Sequence, residues 1–138
     1  MRFDVIPTVK VNEAEFGMSR AEVRGLMGQP KSEFRKFSDE NTTDEYDSYH
    51  VFYDEDDRLE AVEIFNDEGV EVYVGDALVF PTDLVTAREL IPDSEIDDDG
   101  LTCVAQSIGI YAPDALDETV SDPEVESILF GKRGYYDE

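Results

Sequence analysis

One histidine, His50, stands in the stretch SYHVFY (48–53). Histidine titrates closest to neutrality, so it is the first side chain to test as a general base. A base also needs an orienting carboxylate and a nucleophile, and no Gly-x-Ser-x-Gly turn accompanies this one. Strand alternation turns His50 away from Tyr49, Val51 and Tyr53. It is therefore expected on the outer, accessible face of a sheet, as a contact residue.

The acidic clusters DEDDR (54–58) and DSEIDDDG (93–100) invite a calcium reading. An EF-hand loop needs ligands at positions 1, 3 and 5, glycine at 6 and glutamate at 12. Counted from Asp54, positions 5 and 6 fall on Arg58 and Leu59; counted from Asp93, positions 6 and 12 fall on Asp98 and Val104. Neither frame fits, and both clusters read as solvated turns. The single cysteine, Cys103, excludes an internal disulfide and a zinc site built on several cysteines. No glycine-rich phosphate loop is present. No metal, no cofactor and no catalytic residue is assigned. Abundance alone makes any pair chosen from 35 acids uninformative. The tail GKRGYYDE (131–138) carries Tyr135 and Tyr136 behind two basic residues, and tyrosine is a favoured contact anchor. Docking of that pair on its own domain is the other reading.

These side chains need a scaffold, and the clearest element is EFGMSRAEVRGLMGQP (15–30). Ser19 with Glu22 three residues on forms a capping box. Phe16, Val23, Leu26 and Met27 make a stripe at helical spacing, and Gly28 and Pro30 end it. Residues 19–27 are predicted to be a helix. Around it, residues 2–16 read as extended, SEFRKFS (32–38) as a strand, ENTTDEYD (40–47) as a polar loop, and 48–53 and 59–66 as a hairpin. The second half repeats the plan. Residues 70–80 are extended, PTDLVTARELI (81–91) is a helix capped by Thr82 or Asp83, and strands follow at 101–106, 107–112 and 125–131.

The helix segments overlay at an offset of 64, SYHVFYD on SIGIYAP at 59, and LEAVEI on VESILF at 66. Two readings follow within one compact domain, 1–138: an internal duplication of about 13–66 and 77–131, or a chance echo of two similar supersecondary units. The expected class is α+β: tandem helix-plus-antiparallel-strands units, with helices on one face of a mostly antiparallel sheet. Val62, Ile64, Ile108, Ile110, Ile128 and Phe130 should be core. The opposite sheet face should carry His50, Phe52, Glu63 and Tyr111.

The pattern Phe16-Gly17-Met18-Ser19, Glu22-Val23, Leu26, Gly28 and Pro30 resembles the helix opening of the BamE/SmpA-like lipoproteins and of the repeats of β-lactamase-inhibitor protein. The chain is also similar to small uncharacterised bacterial and archaeal proteins ending a strand on Gly-Ile-Tyr-Ala-Pro, here 109–113, some of them immunity-like. The resemblance implies a helix-then-sheet plan and an inhibitor or immunity role. The chain shows neither the lipoprotein signal of the first group nor the disulfides of the second.

Net charge is −24. Aspartate slightly outnumbers glutamate and arginine outnumbers lysine, which fits adaptation to a high-salt cytoplasm. An acidic face for a basic protein partner is the second reading, and mimicry of a phosphate array the third. Without a basic patch, direct nucleic-acid binding is not expected. No apolar run reaches membrane-spanning length and the N-terminus lacks a signal peptide, so the expected location is the cytoplasm. The function expected is a non-enzymatic, acidic, protein-binding module of immunity or inhibitor type. The alternatives are a nucleic-acid mimic and a small carboxylate-dependent enzyme.

Overall fold

The computed structural model describes residues 1–35, 42–120 and 123–136. The parts of the expected elements at 36–41 and 121–122, and the last two residues of the tail, lie outside the described residues.

Strand dominates, at 46% of the described residues against 12% helix. The α+β expectation is therefore corrected: the chain is mostly β, built on two sheets, and it is not a single sheet with helices over one face. The segments read as extended lead-ins have a sheet of their own. β1 (Arg2–Ile6) alternates, burying Phe3 and Val5 and exposing Arg2, Asp4 and Ile6. β2 (Lys10–Val11) and β3 (Ala14–Glu15) fold back beside it. From the second half, β8 (Glu71–Val74) pairs parallel with β1, and β9 (Ala77–Phe80) closes the order β3-β2-β1-β8-β9.

The larger sheet has eight strands, antiparallel throughout. Its first half is β4 (Ser32–Arg35), β5 (Thr42–Glu45), β6 (Tyr49–Tyr53) and β7 (Leu59–Phe65). Its second half is β10 (Glu95–Asp97), β11 (Gly100–Cys103), β12 (Ile108–Tyr111) and β13 (Ser127–Gly131). The order is β10-β11-β12-β13-β7-β6-β5-β4. β5 occupies what reads as a polar loop. Its Thr43 and Asp44 are buried, and Asp44 is held by arginines that composition does not reveal.

Both helices start where the side chains dictate. In α1 (Arg20–Met27), Ser19 Oγ accepts the Glu22 N–H at 3.2 Å and Glu22 Oε1 accepts the Ser19 N–H at 3.1 Å. Gly28 leaves the helix at φ 86°, a conformation that favours glycine. In α2 (Leu84–Leu90) the cap is Asp83, which accepts the Thr86 N–H at 2.7 Å. Val23 and Ala87, one from each helix, are fully buried. One core cluster joins the inner face of the large sheet, including Val62, Ile64, Ile108, Ile110, Ile128 and Phe130, to Phe3, Val5 and Val72 of the small one. Phe3 meets Tyr49 edge to face at 5.2 Å.

The hydrogen bonds repeat at the sequence offsets. Arg20 N–H donates to the Asp57 carbonyl, and Leu84 N–H to the Pro123 carbonyl. Phe65 N–H donates to the Ser48 carbonyl, and Gly131 N–H to the Ser107 carbonyl. At the centre β7 and β13 pair Glu63 with Leu129, and the offset of 66 carries Glu63 onto Leu129.

Candidate functional site

Alternation along β6, β7, β12 and β13 puts one set of side chains in the core and the other on the outer face of the large sheet. One outer row runs Glu45, His50, Glu63, Leu129, Gly109, Thr102 across six strands. The next runs Phe65, Ser127, Tyr111, Gly100. The expected face therefore exists, but its residues are unequally available.

His50 is mostly covered. Its ring meets Phe34 at 5.2 Å and Phe65 at 4.7 Å, both edge to face, and Nε2 lies 3.5 Å from Glu45 Oε2. Phe52 is covered. It faces outward as expected and is only 8% exposed. Tyr111, at the equivalent position of the second half, is 44% exposed. Tyr135 and Tyr136 fold back onto the same face, over Gly131 and Gly109 respectively. Burial, then the neighbouring Tyr135 and Glu63, push the Tyr136 phenol pKa well up.

Glu63, Tyr111 and Ser127 form the shared wall of two adjoining depressions. One, of about 480 Å³, is also lined by Phe65, Asn66, Asp67, Glu124 and Glu126. The other, of about 250 Å³, adds Asp97, Asp99, Thr102 and Tyr136 among others. Among the described residues no lysine or arginine lines either. Ser127 Oγ, buried, donates to Glu63 Oε2 at 2.8 Å, and Asn66 Nδ2 donates to Glu124 Oε1 at 3.0 Å. The carboxylates are thus partly oriented from within. A groove of acids beside an exposed phenol ring suits guanidinium or ammonium groups, which gain from both charge and ring face.

A second cluster escaped sequence reading. Asp44 is fully buried and accepts from Arg20 Nη1 at 2.8 Å and from Arg24 Nε at 2.9 Å and Nη2 at 2.7 Å. Arg20 also pairs with Asp57, and its guanidinium lies 4.1 Å over the Tyr53 ring. Arg24 also pairs with Glu33, whose pKa its hydrogen bond lowers. The i, i+4 spacing of Arg20 and Arg24 on α1 was the available signal. In the second half the matching positions are Leu84 and, by strand register, Leu101. The cluster ties α1 to the large sheet.

The acidic turns cap their own backbones: Asp54 Oδ1 accepts from the Asp56 and Arg58 N–H groups, and Asp97 Oδ1 from Asp99 N–H. Among the described residues no group of three or more His, Cys, Asp or Glu is arranged to hold a metal ion. Asp44 is the one buried carboxylate among the described residues. Cys103 is buried, with Sγ 3.7 Å from the Pro92 carbonyl. No described helix is long and apolar enough to cross a membrane.

No family model, no curated protein and no solved structure matches the chain.

Proposed function

We propose that the protein is a non-enzymatic binding module that holds a basic protein segment in the outer-face groove, in the manner of an inhibitor or immunity protein acting in the cytoplasm. One observation carries the reading. Six acidic residues, Glu63, Asp67, Asp97, Asp99, Glu124 and Glu126, line the two depressions that Tyr111 and Ser127 share, with no basic residue among the described residues that line them. Charge complementarity of this kind steers a cationic partner and selects it over neutral ones. The exposed Tyr111 ring supplies the aromatic contact that such interfaces favour. The resemblance of the α1 opening to inhibitor repeats supports the same role.

The test uses a synthetic arginine-rich peptide, with affinity measured against ionic strength. Binding that weakens when Glu124 and Glu126 become Gln, with the fold unchanged, supports the groove. Binding that ignores these substitutions removes it.

A further inference from the structure

The two halves of the outer face are filled differently. In the first half His50 of β6 and Phe65 of β7 meet ring to ring. The offsets of 59 and 66 carry these positions onto Gly109 and Gly131. Both glycines sit within strands, and neither has a positive φ, so neither backbone demands glycine. Glycine inside a strand weakens it and marks close approach by another group. Here the approaching groups are the tail tyrosines. A β-carbon at residue 109 would overlap the Tyr136 hydroxyl, and one at residue 131 would lie 2.6 Å from Tyr135 Cβ and Cγ. The Tyr135 and Tyr136 rings meet at 90° with centroids 5.1 Å apart. The tail thus supplies the aromatic pair that positions 109 and 131 lack.

We infer that Gly109 and Gly131 floor an aromatic-binding cleft whose resident occupant is the chain's own Tyr135–Tyr136 tail, and that a partner entering the neighbouring acidic groove competes with this tail. The tail reaches the cleft through a local turn, with Gly134 at φ 79° and Tyr135 N–H donating to the Lys132 carbonyl at 3.0 Å. No strand follows β13 among the described residues, so the tail adds no strand to the sheet. Tyr136 and Gly109 both line the smaller depression with Glu63, Asp97 and Asp99, so the docked tail forms part of the groove's wall. The competition rests on the groove reading above; the cleft does not.

Gly109→Ala tests the cleft without shortening the chain. The variant should fold, release Tyr136, and return its phenol to the ordinary value of 10.0 in a tyrosine titration. A folded Gly109→Ala protein whose Tyr136 still titrates high overturns the cleft. So does loss of folding in both Gly109→Ala and Tyr136→Ala, which would make the tail part of the core. For the competition, Tyr135→Ala with Tyr136→Ala should bind the arginine-rich peptide on the order of tenfold more tightly, as expected when a closed state suppresses binding. Equal or weaker binding by that folded variant overturns it. Absence of binding by wild type and variant alike defeats the groove and the competition together, while the titration still decides the cleft.

Discussion

Ser127 Oγ donates to Glu63 Oε2 across 2.8 Å, joining the two central strands of the large sheet on its outer face. The serine is buried and the glutamate is not, so the bond orients the carboxylate from the buried side. Ser127→Ala should keep the fold, at a cost of about 1 kcal/mol, because Glu63 can turn to water. Affinity for an arginine-rich peptide should fall severalfold as Glu63 loses its orientation. Unchanged affinity in the folded variant would mean that the bond serves the sheet alone.

Asp44 sets the stability of the first half. Its carboxylate is fully buried between two guanidinium groups, and removing one member of such a group strands the others. Asp44→Asn should cost about 3 kcal/mol in urea unfolding. Combining Arg20→Leu with Asp44→Leu, after Leu84 and Leu101 in the second half, should recover part of that loss. A cost below about 1 kcal/mol for Asp44→Asn would contradict this account of the cluster.

The start of α1 should depend on acid. The Ser19 backbone N–H, and then its hydroxyl, hold the Glu22 carboxyl below its ordinary value of 4.5. A lowered folded pKa means that the stabilisation is fully present above pH 4.5 and is lost as pH falls through the lower, folded value. An NMR titration should show Glu22 protonating below 4.5 with the Ser19 amide shifting in step. Titration at or above 4.5 would show the capping box to be open in solution.

With a net charge of −24, self-repulsion should weaken the fold in dilute buffer, and added salt should raise the unfolding midpoint steadily. A midpoint indifferent to salt would detach the charge from salt adaptation and leave partner binding as its purpose.

Where side chains act on their own neighbours, the sequence was readable. Ser19, Glu22, Gly28 and Asp83 specify both helices, and the alternation of Tyr49, Val51, Val62 and Ile64 specifies a hairpin whose register recurs at 108–130. The five-stranded sheet was not readable, because β2 and β3 have two residues each and no period can show in them. β5 was hidden by its polarity, since Asp44 becomes a core residue only through arginines on another element. Phe52 and Tyr111 hold equivalent positions and face outward alike, yet one is covered and the other open, a difference that packing decides and alternation does not. The face bearing Glu63 and Tyr111 was legible; the acids that complete the groove, Glu124 and Glu126, lie just before β13, where no pattern marks them as groove residues.

The most direct test of the groove compares two charge-matched double variants. Glu124→Gln with Glu126→Gln removes two charges from the groove; Glu13→Gln with Glu89→Gln removes two from elsewhere on the surface. If the groove binds a basic segment, the first pair should weaken capture of an arginine-rich peptide on the order of tenfold at low salt, and the second pair only slightly. Equal losses from both pairs would show that the peptide answers to net charge alone and would contradict a specific site on the outer face.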